Sequence, residues 1–157
     1  MNERVYIESS VVSYLTSRPS RDLVIAAHQE LTRQWWSDRG GKFDLFISEL
    51  VLEEVRRGDP AASATRVEAV EKLAILSATP EAVVLAEGIL SEGSFPREAA
   101  ADALHIAIAS VNGMDYLLTW NCKHLANATH RNRVESFVEG AGYACPVICT
   151  PEELMED

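Results

Sequence analysis

Three carboxylates occupy positions from which chemistry is done in α/β proteins. Glu8 directly follows the β-prone run Arg4-Val5-Tyr6-Ile7 and precedes Ser9 and Ser10. Glu54 falls on one helical face with Leu50 and Val51, after a second apolar strand that ends at Ser48. Asp102 stands alone in Ala99-Ala100-Ala101-Asp102-Ala103-Leu104, where a solvated helix face would carry several charges. An isolated carboxylate among alanines needs a partner. Its bland reading is a helix residue that caps or pairs with a neighbour, and no one of these acids is decisive alone. Ligands of open parallel α/β sheets bind beyond the carboxyl ends of the strands, which adds Thr119 and Asn121, after Tyr116-Leu117-Leu118, to the group.

The elements that must position these residues follow from periodicity. Strand, acidic turn and a short helix open the chain; residues 22–38 carry Leu23, Ala26, Ala27, Leu31 and Trp35 at helical spacing and stop at Gly40-Gly41. Residues 43–47 read as a second strand, and Ser48 is placed to cap a helix over 49–57 that must break at Gly58-Asp59-Pro60. Two helices, 61–73 and 80–91, flank a short strand at 75–77, and Pro96 suits the first turn of an alanine-rich helix over 97–111. A compact strand at 116–119, a helical turn near 122–126, a helix over 131–139 and a last strand at 146–149 complete the chain before a final turn at 150–153. Strands alternating with helices predict one domain over residues 1–157, a three-layer α/β/α sandwich on a mainly parallel sheet of four to five strands.

Composition narrows the function. With 47% apolar and 24% charged residues, the chain has the means to fold around its own core rather than stay disordered. The N-terminus leads directly into a strand and no stretch approaches the roughly 20 apolar residues of a membrane span, so a cytoplasmic location is expected. Cys122, Cys145 and Cys149 are odd in number and lack paired spacing, so they read as reduced, mostly buried thiols. The net charge of −10 leaves little general attraction for phosphates. Nucleic acid would have to meet a local patch, or an acidic cluster whose sign a bound cation inverts.

Four segments in this order resemble the PIN domain family, including the VapC-type toxins of bacterial toxin–antitoxin pairs: Tyr6-Ile7-Glu8-Ser9-Ser10 with Val11, Ile47-Ser48 through Glu54-Val55, Asp102-Ala103-Leu104-His105-Ile106-Ala107, and Leu118-Thr119-Trp120-Asn121. The resemblance spans almost the whole chain, and the ending from Pro146 to Leu154 is similar to the family's last strand and turn. It implies a PIN-like fold and an endoribonuclease that uses Mg²⁺ or Mn²⁺, with Glu8, Glu54, Asp102 and Asn121 at the positions of an acidic quartet. Ser10 matches the hydroxyl residue that steadies the first acid. It further implies a homodimer and a cognate antitoxin that covers the acidic cleft. Hard oxygen donors suit such ions, which activate water and bridge to phosphate. Two positions depart from the pattern: Glu8 stands where the family usually has Asp, and Asn121 replaces an acid, leaving three formal charges and putting a second metal in question.

The remaining residues have competing readings. Glu98, one turn before Asp102, either faces the same site or simply favours a helix start, and Glu49 and Glu53 read as surface acids. Arg56, Arg57, Arg18, Arg21 and Lys123 are the candidates for phosphate contacts. Trp120 either stacks a base or plugs its loop, with plugging favoured. His105 reads as a packed histidine rather than a ligand, while His124 and His130 stay ambiguous. Asn121 and the acidic charge also motivate a rival reading, a catalytically weak PIN-like module that binds RNA or protein. A phosphatase or phospho-accepting receiver is disfavoured by the missing DxD pair and the missing lysine after the last strand.

Overall fold

The computed structural model describes residues 1–156. Five strands, β1 (Arg4–Ile7), β2 (Asp44–Ser48), β3 (Ala74–Leu76), β4 (Tyr116–Leu118) and β5 (Val147–Cys149), form one sheet in the order β3-β2-β1-β4-β5. Every pairing is parallel, so the expected mainly parallel sheet is parallel throughout its described pairs. The inner strands are apolar without alternation, with Val5, Tyr6, Ile7, Leu117 and Leu118 fully buried, as a sheet covered on both faces requires.

Seven helices make the covering layers: α1 (Ser9–Thr16), α2 (Leu23–Asp38), α3 (Glu49–Val55), α4 (Pro60–Val70), α5 (Pro80–Ser91), α6 (Ala100–Val111) and α7 (Ala128–Gly140). α1 packs with α2, α3 and α4, and α5 packs with α6 and α7. Right-handed crossovers place these two groups on opposite faces, because the chain moves outward from β1 to β3 and then returns past β1 to β4 and β5. The result is the three-layer α/β/α sandwich.

Local chemistry sets several boundaries. Asp22 accepts from the Val24 and Ile25 amides and starts α2; Ser48 accepts from the Val51 amide and starts α3. One boundary differs from the sequence expectation. Pro96 leads into a tight 3₁₀ turn, Arg97–Ala99, and α6 begins only at Ala100. Asp102 therefore lies in the first turn of α6, where the helix dipole favours a negative charge, and not in mid-helix.

Candidate metal centre

Reversal of strand order about β1 makes the ends of β1 and β4 the switch point of the sheet, the place where open α/β sheets bind ligands. Glu8 emerges there, immediately after β1, with Thr119 and Asn121 after β4 on the neighbouring strand. Glu8 occupies the N-cap position of α1 but its side chain does not cap the helix and takes other partners. The carboxylate is buried at 5% exposure. Ser10 and Thr119 both donate to Oε1, Thr119 at 2.6 Å, and Ser9 donates to Oε2 at 2.9 Å. A carboxylate oxygen only accepts, so both hydroxyls donate to it, while Ser10 Oγ accepts the Trp120 amide and Thr119 Oγ1 the Asn121 amide, at 2.8 and 2.9 Å. Ser10 and Thr119, named from the sequence as supporting residues, both hydrogen-bond Glu8.

Glu54 arrives from the last turn of α3. Ser9 Oγ lies 3.0 Å from its Oε1, so the single Ser9 hydroxyl proton is shared between the two glutamates, and His105 Nε2 lies 2.7 Å from the same oxygen. Burial by itself would raise the Glu54 carboxyl, but the hydrogen bond and positive field of His105, the Ser9 bond and the charge of Arg57 together outweigh it and hold the group below its ordinary value. One carboxylate oxygen from each glutamate and His105 Nε2 lie within 4.8 Å of one another.

Asp102 is clamped at both oxygens. Asn121 Nδ2 donates to Oδ1 at 3.1 Å, and His124 Nδ1 lies 3.0 Å from Oδ2. Burial pushes this carboxyl up against the opposing pull of the His124 bond, and the charge of Glu8 adds to the rise. The electrostatic influence of Glu8 ties Asp102 to the same site. So does a continuous path of hydrogen bonds from Glu8 through Thr119 and Asn121.

Other expected residues have partners of their own. Asn121 Oδ1 accepts the His124 backbone amide at 3.1 Å, and its NH₂ faces Asp102. Glu98 is exposed in the 3₁₀ turn and makes no hydrogen bond with the other acids. Trp120 plugs its loop: it is 7% exposed, stacks on His28 with centroids 4.0 Å apart, and donates Nε1–H to Thr32 at 2.7 Å. Cys122 is exposed, unlike the buried Cys149 and half-buried Cys145, whose thiols burial pushes up to about 12.

Sequence reasoning missed Ser9, the alignment of Ser48 and Tyr6 behind His105, and the His124 clamp. Hydroxyls beside Glu8 were a legible signal for Ser9. Nothing in the linear sequence brings Tyr6, Ser48 and His105 together, because they come from three distant elements.

No protein-family model matches the sequence, and no curated protein does either. Solved structures do match. VapC20 of Mycobacterium tuberculosis, described as a sarcin-ricin loop cleaving toxin, aligns with a TM-score of 0.58 at 15% identity, over 89% of this chain and 96% of that one. A chain of VapBC2 from Rickettsia felis, solved bound to a DNA fragment from their promoter, aligns with a TM-score of 0.61 at 11% identity, over 94% of this chain and 98% of that one. At such identities the likeness is one of fold, and by it the chain carries the PIN-type fold of these VapC toxin structures, as its sequence motifs implied.

Proposed function

We propose that the protein is a metal-dependent endoribonuclease that hydrolyses RNA phosphodiester bonds, with Glu8, Glu54 and Asp102 holding Mg²⁺ or Mn²⁺. The observation that carries this reading is the single hydrogen-bonded network in which Ser9 joins Glu54 to Glu8 and Thr119 and Asn121 join Glu8 to Asp102. Glu8 and Glu54 bring carboxylate oxygens within 4.8 Å, and the charge of Glu8 also acts on Asp102, which lies outside that close group; like charges so placed repel one another unless a cation offsets them. Their donor chemistry, hard oxygens held by hydroxyls and an amide, fits these two ions.

When bound, such an ion supplies a lowered water pKa and neutralises charge developing on phosphate. The chain's own residues do the rest. Ser10 and Thr119 fix the rotamer of Glu8, and Asn121 with His124 fixes Asp102, so the carboxylates are oriented before substrate arrives. The exposed Arg18, Arg21, Arg56, Arg57 and Lys123, the candidates named from the sequence, serve the RNA backbone. The likeness to VapC20 and VapBC2 supports a toxin of a type II pair with a cognate antitoxin as partner; that it acts as a homodimer rests on the resemblance of its sequence motifs alone. No helix among the described residues is long and apolar enough to cross a membrane.

The test is cleavage of structured RNAs by wild type and Asp102→Asn, each with Mg²⁺, Mn²⁺ or EDTA. Metal-dependent cleavage that falls at least about a hundredfold in the variant supports the nuclease. A second reading, a PIN-like module that binds RNA or protein without efficient turnover, is favoured by the Asn121 carbonyl, which is held by a backbone amide and turned from the acids. Wild type inactive under every condition, with activity appearing in Asn121→Asp, would establish it.

A further inference from the structure

Behind Glu54 runs a chain of buried polar groups that the reaction itself does not use. Ser48 Oγ lies 2.7 Å from Tyr6 Oη, and Tyr6 Oη lies 2.6 Å from His105 Nδ1. His105 Nε2 then reaches Glu54. Ser48, Tyr6 and His105 are all 0% exposed, so bulk water does not reach them. Ser48 Oγ also accepts the Val51 amide at 3.2 Å, and neither hydroxyl has another partner among the described residues.

The protons in this chain can be counted. There are two links, Ser48 to Tyr6 and Tyr6 to His105 Nδ1, and each takes one proton. The two hydroxyls bring two protons, and burial keeps the Tyr6 phenol protonated far above its ordinary range. Ser48 therefore donates to Tyr6, and Tyr6 donates to Nδ1. A proton on Nδ1 would be a third for two places and would strand a buried hydroxyl without an acceptor. Nδ1 accepts, and the imidazole proton sits on Nε2, facing the Glu54 carboxylate.

We infer that His105 is a positioning residue whose Nε2–H, set by the Ser48–Tyr6 relay, holds Glu54 in place, and that it is not itself a ligand in a centre that binds metal through oxygen alone. This rests on the metal reading proposed above. Proximity alone would allow a mixed centre of Glu8, Glu54 and His105. A ligating Nε2 must present a lone pair, and the relay leaves it none. An all-oxygen centre takes Mg²⁺ and Mn²⁺, whereas an imidazole ligand would shift preference toward zinc and its neighbours. The relay starts at the cap of α3 and returns to Glu54 near the end of the same helix, so it also fixes α3 against β1 and α6.

The deciding measurement is ¹⁵N NMR of histidine side chains in the full-length protein, metal-free and with saturating Mg²⁺, the His105 signals being identified by their loss in His105→Gln. Protonated Nε2 and unprotonated Nδ1 are expected in both states. An unprotonated Nε2 in either state would overturn the inference. A companion titration with Mn²⁺ compares His105→Gln, which keeps a donor near Glu54, with His105→Leu, which does not. Affinity is expected within about threefold of wild type for the first and tenfold or more weaker for the second. Equal large losses in both would mean that the ring is a ligand and would also overturn it. If wild type binds no cation, the metal proposal fails, while the metal-free tautomer still decides whether His105 holds Glu54.

Discussion

At Asn121 the difference between an amide and a carboxylate decides what the third acid can do. The NH₂ group bonds Asp102 and the carbonyl is occupied by a backbone amide, so the residue stabilises a neighbouring charge without adding one. Asn121→Asp replaces that donor with a second carboxylate about hydrogen-bond distance from Asp102. In metal-free protein the variant is expected to lose about 1–2 kcal/mol, the scale of losing one bond to a charged group and introducing one like-charge repulsion. Its Tm should then rise more than that of wild type on adding Mn²⁺; a rise no larger would mean the new carboxylate does not reach the ion. Glu54 gives a second prediction, with its sign set by its lowered carboxyl. Folding favours the ionised form, so this contribution is present above the ordinary value of 4.5 and is lost as pH falls through the lower folded value. Glu54→Gln should therefore cost about 1 kcal/mol or more at pH 7 and progressively less in acid, as followed by urea denaturation across pH without metal. A cost that stays constant with pH would contradict the assignment of His105 and Ser9 as donors to a carboxylate.

Among the helices, the tightest requirement lies between α5 and α7. A Cβ placed on Gly88 would meet the Phe137 ring at 2.6 Å, so glycine lets the ring lie directly on the α5 backbone. Alanine is the better helix former by about 1 kcal/mol, yet overpacking costs about 1–3 kcal/mol, so Gly88→Ala is expected to destabilise. Adding Phe137→Leu should recover part of that loss, giving a favourable coupling energy in a double-mutant cycle; simple additivity would show that the ring had moved aside freely. The site itself depends on element ends: β1 delivers Glu8, α3 delivers Glu54 and the first turn of α6 delivers Asp102. Trp120 fastens the loop after β4 to α2 through Thr32 and His28, which keeps Asn121 and His124 in register with Asp102.

For the whole molecule, a net charge of −10 means that RNA is repelled at long range and must be held by a local set of cations. Arg56 and Arg57 follow Glu54 at the end of α3, both exposed, and Arg57 makes only a surface pair with Glu53 at 2.9 Å, weak enough to yield to a phosphate. The double change Arg56→Glu with Arg57→Glu is expected to reduce RNA cleavage at low salt at least about tenfold, with Mn²⁺ affinity kept or raised, since the Arg57 charge acts on Glu54. Unchanged cleavage would place the RNA path on another side of the site.

The order of strands and helices was legible in the residues, because a sheet buried on both faces writes apolar runs such as Val5-Tyr6-Ile7 and Tyr116-Leu117-Leu118, and caps such as Asp22 and Ser48 mark helix starts. So were Glu8, Glu54 and Asp102 as acids in places that charge does not usually occupy without a reason. Only the tertiary structure decided the orientation of Asn121, the two-sided clamp on Asp102 and the relay from Ser48 through Tyr6 to His105. Each of these depends on side chains from separate elements meeting at hydrogen-bond distance. The sequence states which donors and acceptors exist; the packing of β1, α3, α6 and the loop after β4 settles which of them satisfy one another, and thereby which remain free to bind.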